Sequence, residues 1–270
     1  MKASFTLPSK KNNIIWDLDG VLVTHSTAKT VWTIGPTNFL GGFNPSGARL
    51  EECVFQLLNE IQPIDQARPV LFSNYGNQIP GLMIDYLMGN LSGLEVKALV
   101  KDKVSYLTTR YDSKRKLALV HAIINFIFTP LDFISVITPV PDAIKLFHQC
   151  QQAKNADGSN KNRLFIITNW DSASFRLLAQ DPVFSSFLDL CDDIVVSGFV
   201  HMIKPDPTIF TYAFRQFAID PSNELTLYID DRPENLTGAQ SLGHTRLRTI
   251  HCKNFDIKSL KKKLKQFDVF

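Results

Sequence analysis

Four short apolar runs recur along the chain, and each stops at a polar cluster: NIIWDLD (13–19), RLFIITNW (163–170), DIVVSG (193–198) and LTLYIDD (225–231). A weaker fifth run, RLRTIH, occupies 246–251. Continuous apolar runs of this length are what strands buried on both faces of a parallel sheet look like. Segments with helical spacing lie between them: SASFRLLAQ (172–180), DPTIFTYAFRQFA (206–218) and ENLTGAQSLG (234–243). Strand and helix alternate, so the pattern predicts an α/β fold with a doubly wound parallel sheet.

The first and second runs are separated by residues 20 to 162, far more than one crossover needs. A turn-rich opening, IGPTNFLGGFNPSG, leads there into helix-like patterns such as RLEECVFQLLNEI and KRKLALVHAIINFIF. We therefore expect an α/β core formed by residues 1–25 and 140–270, and a mainly α-helical insertion over 26–139 joined to it by two chain crossings. The helix PDAIKLFHQCQQAK (141–154) belongs to the core, because it leads directly into the second run.

Composition narrows the function classes. With 270 residues, 44% of them hydrophobic, the chain can fill a sizeable core, and a net charge of +3 lacks the concentrated basic face of a nucleic-acid binder. The four cysteines, Cys53, Cys150, Cys191 and Cys252, form no C-x-x-C pair. Reduced thiols in a cytoplasmic protein are expected, without a zinc ribbon or disulfide framework. The N-terminal MKASFTLPSKKNN has no secretory signal pattern. The longest apolar stretch, residues 117–141, is interrupted by His121, Asn125, Pro130 and Asp132, so buried helices are expected there rather than a membrane span. The basic C-terminal KSLKKKLKQF is expected to be a helix with a solvated face. A monomer or homodimer is expected.

The polar ends of the runs carry the chemistry. They hold Asp17 and Asp19, then Thr168 and Asn169, then Lys204 in HMIKPDP shortly after the third run, then Asp230 and Asp231. In an open parallel sheet, sites form beyond the carboxyl ends of the strands, near the point where strand order reverses. An order 3-2-1-4-5, with the runs numbered as they occur, makes the first and fourth neighbours and brings their aspartates together. Carboxylates pressed into one crevice raise one another's pKa unless a cation neutralises them. Mg2+ suits such a site, because it takes oxygen ligands from one or two carboxylates and completes its shell with water and a substrate phosphate. Lys204 and the Thr168 hydroxyl are suited to phosphate oxygens, and Gly20 allows a sharp turn that brings main-chain N–H groups close to a phosphate.

In that order, DLDGV, ITN, KPDP and YIDDRPEN resemble the four sequence motifs of the haloacid dehalogenase-like (HAD) superfamily. The intervals agree as well, with 35 residues between Thr168 and Lys204 and 26 between Lys204 and Asp231. The resemblance implies a Rossmann-like core and makes the insertion after the first motif a cap of the subfamily I type. It implies that Asp17 is the nucleophile of an aspartyl-phosphate and that Asp19 is the general acid and base. Thr168 and Lys204 join them as catalytic residues, and Gly20, Thr168, Asn169 and Lys204 bind phosphate. The metal falls to Asp17, the main-chain carbonyl of Asp19 and Asp231, with Asp230 and Asn235 in support. Dehalogenases of the superfamily lack an aspartate at the position of Asp19, so the expected reaction is Mg2+-dependent hydrolysis of a small phosphate monoester. A phosphomutase of the β-phosphoglucomutase type and a regulatory protein on the same fold remain open. His25, at the edge of the insertion, and Trp32, Asn44 and Arg110 within it are substrate-contact candidates, each also explicable as structural. PVLFSNYGN (69–77) imitates the second motif, but its Asn74 lies 130 positions before Lys204, so we assign it to the cap.

Overall fold

The computed structural model describes residues 11–39, 47–62, 70–73, 75–107 and 114–270. Seven strands are present among them: β1 (Asn12–Trp16), β2 (Val23–His25), β3 (Ile137–Pro139), β4 (Asn162–Thr168), β5 (Asp193–Val196), β6 (Thr226–Asp230) and β7 (Leu247–His251). Five of them form one parallel sheet in the order β5-β4-β1-β6-β7. This is the order expected from the sequence, with β1 central between β4 and β6.

The apolar runs have no alternation because both faces of the sheet are covered. On β1, Ile14 and Trp16 enter a cluster with Phe147 of the helix Pro141–Gln152, while Ile15 enters another with Phe210 and Phe214 of the helix Pro207–Gln216. Successive side chains on a strand point to opposite faces, so one strand serves both cores. The basic C-terminal segment is the helix Ile257–Gln266, whose Leu260 and Leu264 pack into the first cluster. Lys258, Lys262 and Lys265 are left to solvent, while Lys261 Nζ donates to Gln149 Oε1 (2.8 Å) and Lys263 Nζ to His251 O (3.3 Å).

Helices start where short polar side chains satisfy free N–H groups. Asp171 accepts from Ala173 and Ser174 N–H (3.1 and 2.8 Å) before the helix Ser172–Gln180, and Asp206 accepts from Thr208 N–H (2.8 Å) ahead of Pro207. Asp206 of the KPDP motif is thus a helix cap that fixes where the chain leaves Lys204.

Between the first and second core strands, the helices Gly47–Ile61, Gly81–Leu87, Gly93–Leu107 and Lys114–Ile127 gather around their own apolar cluster, which includes Leu57, Leu82, Val96, Val120 and Phe128. The helices Thr27–Ile34 and Pro130–Ser135 flank the points of departure and return. There β2 pairs antiparallel with β3, so the outgoing and returning chains are hydrogen-bonded to each other. The apolar stretch 117–141 divides into helix, helix and strand, and no helix among the described residues is long and apolar enough to cross a membrane.

Candidate active site

Strand register brings the motif ends together. Asp17 follows β1 and donates its N–H to Ile229 O of β6 (2.8 Å), while Thr168 and Asp230 are the last residues of β4 and β6. Leu18 is fully buried in the core between the two aspartates, which turns Asp17 and Asp19 toward the cavity. That cavity, of about 600 Å³, is lined by Asp17, Asp19, Gly20, Thr168, Asn169, Lys204, Asp231 and Asn235 among others. Asp230 lies behind this wall and is fully buried.

Lys204 is the electrostatic centre. Its ammonium is 1% exposed and sits 2.8 Å from Asp17 Oδ1 and 2.8 Å from Asp230 Oδ2. Burial disfavours its charge, but the two carboxylates outweigh that and raise its pKa, so the lysine stays protonated. One ammonium cannot balance the three carboxylates of Asp17, Asp230 and Asp231. Burial first, then Asp230, pushes the Asp17 carboxyl well above the usual range in spite of Lys204. Burial and Asp230 likewise move Asp231 up to about 6. The site carries surplus negative charge in a poorly hydrated place.

The two adjacent aspartates are not equivalent. Asp230 accepts hydrogen bonds from Lys204 Nζ, Tyr228 Oη, Arg232 N–H (2.8 Å) and Asn235 Nδ2 (3.0 and 3.1 Å to its two oxygens). Its lone pairs are occupied by the protein. Among the described residues the Asp231 carboxylate has a loose ion pair with Arg232 (3.9 Å), and its main-chain carbonyl faces His251 Nε2 (2.9 Å). Ligand atoms from Asp17, Asp230 and Asp231 lie within 4.8 Å of one another. Gly20 has φ +83°, and a Cβ there would stand 2.4 Å from the Asp231 carboxylate. This glycine is the space into which Asp231 leans. Carboxylate oxygens only, surplus charge and a cradle kept open by glycine fit a hard divalent cation, with Asp17 and Asp231 as the available ligands.

One further group points to an anion. Thr168 is fully buried, yet its hydroxyl has no hydrogen-bond partner among the described residues, and the residue lines the cavity. A buried hydroxyl without a partner is costly unless a ligand supplies one. Asn169 also lines the cavity, and its side-chain amide donates to Lys204 O (2.9 Å) and accepts from Lys204 N–H (2.9 Å), which ties the second motif to the third.

Asp19 stands at the exposed rim, where its Oδ2 lies 3.1 Å from His25 Nε2. Of the substrate-contact candidates, His25 lines the cavity and Trp32 is 77% exposed and does not, while Asn44 and Arg110 lie outside the described residues. The imitation of the second motif is spent within the insertion: Ser73 Oγ donates to Glu51, and its oxygen accepts from Tyr75 and Asn77 N–H (3.2 and 3.3 Å). Asn74 is outside the described residues. Sequence reasoning missed Tyr228, although its position two residues before Asp230 puts both on one face of β6. Arg232 was also missed, and nothing in its local sequence announces its contact with the insertion.

The fold recurs in solved structures. A HAD family enzyme of Bacteroides thetaiotaomicron aligns with TM-score 0.57 at 16% identity, covering 93% of this chain and 98% of that one. The same protein in complex with magnesium and inorganic phosphate gives 0.52 at 16% identity, over 89% and 93%. A HAD-like family hydrolase of Porphyromonas gingivalis gives 0.54 at 17% identity, over 95% and 99%. At these identities the likeness is one of fold. No curated protein matches the chain. The sequence profile of the haloacid dehalogenase-like hydrolases matches residues 11–243, which takes in all four clusters assembled in the cavity. The chain belongs to the haloacid dehalogenase-like hydrolases.

Proposed function

We propose that the protein is a Mg2+-dependent phosphatase that hydrolyses a small phosphate monoester through an aspartyl-phosphate on Asp17. The observation that carries this reading is the joint presence in one cavity of a buried lysine-paired carboxylate, Asp17, and a buried hydroxyl without a partner, Thr168. A buried nucleophile beside an ammonium and an unsatisfied donor is suited to a group that brings several oxygens of its own.

Lys204 and Leu18 N–H (2.6 Å) both contact Asp17 Oδ1, which orients the carboxylate and leaves its other oxygen without a donor among the described residues. The carboxylate attacks phosphorus, and the bond to the leaving oxygen breaks as that oxygen takes a proton from Asp19. Asp19 then removes a proton from the water that cleaves the acyl phosphate and so regenerates both carboxyl groups. Its exposed position at the rim suits an acid that must meet the leaving group and then solvent. Thr168 donates to a phosphoryl oxygen, and Lys204 holds the negative charge that builds during transfer. Asn169 keeps Lys204 in place through its main chain. Asp17, Asp231 and the Asp19 carbonyl would hold Mg2+, with Asp230 and Asn235 bracing the site; the ion, when bound, supplies charge neutralisation that lets an anionic substrate approach an anionic nucleophile. Residues 26–139 act as the cap that shields the reaction from water.

Release of inorganic phosphate from p-nitrophenyl phosphate and a panel of phosphometabolites, with and without Mg2+, tests the reading on wild type and Asp17→Asn. Metal-dependent release by wild type alone is expected. Equal release by both proteins would overturn it.

A further inference from the structure

Part of the cavity wall comes from a segment outside all four motifs. Leu71, Phe72, Tyr75 and Ile79, joined by Leu87, line the cavity from the insertion. The segment is a short turned-back strand pair, with a bridge between Phe72 and Gln78, Ile79 N–H donating to Leu71 O (2.8 Å) and Ser73 N–H donating to Asn77 O (2.8 Å). Glu51 on the helix Gly47–Ile61 anchors it from behind by accepting from Ser73 Oγ and from Asn77 Nδ2 (2.8 Å). From the core, Arg232 Nη1 donates to Phe72 O (3.0 Å), so the residue after the proposed metal ligand Asp231 touches the main chain that carries Phe72.

This anchored turn presents two large aromatic side chains that the protein leaves uncovered: Phe72 is 46% exposed and Tyr75 59%. The cavity is therefore two-faced. Its floor carries Asp17, Lys204, Asp231 and the unpartnered Thr168 hydroxyl, and its insertion-side wall from Leu71 to Leu87 offers no ionised side chain among the described lining residues. A volume of about 600 Å³ is more than a phosphoryl group fills and lies in the range of sites for ring-bearing ligands. Against this wall a polyhydroxylated leaving group would set hydroxyls on Leu71, Phe72, Ile79 and Leu87, which cannot pair them and leave that task to His25, Arg232, Glu234 and Asn254 elsewhere in the lining. A planar ring instead gains contact area and favourable ring geometry there.

We propose that Phe72 and Tyr75 recognise the leaving group, and that the substrate is a phosphate monoester of an alcohol carrying an aromatic ring. The inference rests on the proposed phosphatase reading for the position of the phosphate. Benzylphosphonate and methylphosphonate test it, since neither transfers its phosphoryl group and they differ only by the ring. Calorimetric titration in Mg2+ is expected to show benzylphosphonate binding roughly tenfold tighter to wild type, the size of one good aromatic contact with its burial. The ratio should fall towards one in Phe72→Ala and in Tyr75→Ala and persist in Tyr75→Phe, each variant checked for an unchanged circular dichroism spectrum. Equal affinities in wild type, or a preference that survives in the double alanine variant, would overturn the inference. Phosphate release from a small alkyl phosphate together with equal phosphonate affinities would overturn it and leave the hydrolase reading standing. A ring preference without any metal-dependent hydrolysis supports the aromatic wall and overturns the phosphatase reading alone.

Discussion

Replacing Gly20 by alanine separates the roles of the backbone and of Asp231. Two costs are legible in the geometry. The residue sits at φ +83°, where a side chain costs about 1–2 kcal/mol. The new Cβ would also lie 2.4 Å from Cγ and Oδ2 of Asp231, against an optimum of roughly 3.5 Å, so the carboxylate must retreat by about 1 Å. The atoms in the way are the end of a side chain, so the fold should survive with a melting temperature lowered by roughly 2–8 °C. The metal site should not fare as well, because Asp231 is driven away from its place beside Asp17. Disturbing groups around a bound metal commonly costs about 10–100-fold in affinity, and the Mg2+ concentration for half-maximal phosphate release should rise by that factor. Gly158 supplies the control: it has the same φ of +83° with nothing within 4 Å of an added Cβ. Gly158→Ala should lose comparable stability and keep the wild-type Mg2+ titration. A folded Gly20→Ala protein whose Mg2+ dependence stays within twofold of wild type would refute the assignment of Asp231 as ligand.

Lys204→Met leaves Asp17 and Asp230 buried without their cation and should cost about 3–5 kcal/mol near neutral pH, read by urea unfolding in chelator. A carboxyl whose folded pKa is raised, as that of Asp17 is, holds its proton more tightly in the native state, so stability falls as pH rises through the folded value. The deficit relative to wild type should therefore shrink on acidification from pH 7.5 to 5.5; a deficit that grows contradicts the arrangement. Thr168→Val removes a buried hydroxyl with no protein partner and should leave thermal stability equal or higher while phosphate release falls at least tenfold; a clear drop in melting temperature would show that the hydroxyl is needed by the fold. Burial pushes the Cys150 thiol up to about 12 and the Cys252 thiol to about 11, and raises Cys191 as well, so all three stay protonated far above neutrality. A disulfide reagent at pH 8 should label at most one of the four thiols quickly before unfolding; rapid native labelling of Cys150 or Cys252 would contradict their burial.

The sheet and the floor of the site were legible in the sequence because both depend on local pattern. A central parallel strand must be apolar on both faces, so β1, β4, β5 and β6 stand out as unbroken runs, and the residues that end them are placed in the crevice by topology alone. Asp17, Asp231, Lys204 and Thr168 all line the resulting cavity. No local pattern records the pairing of the Asn169 side-chain amide with the Lys204 main chain 35 residues away. The helices Gly81–Leu87 and Gly93–Leu107 were not anticipated either, since tertiary packing around Leu82 and Val96 sustains them more than any periodic signal. The turn carrying Phe72 and Tyr75 imitates a phosphate-binding motif in letters alone; what separates the two is Glu51, which takes the Ser73 hydroxyl.

The central claim is that Asp17 becomes phosphorylated during turnover, and chemical trapping tests it most directly. Wild-type protein turning over p-nitrophenyl phosphate with Mg2+, quenched into borohydride, should carry homoserine in place of aspartate at position 17, because an acyl phosphate is reduced and a free carboxylate is not. Peptide mass spectrometry over residues 12–23 reads the change directly. Reduction confined to Asp17 and dependent on both substrate and Mg2+ is the predicted result. Reduction at another carboxylate, or none while phosphate is being released, would contradict the account.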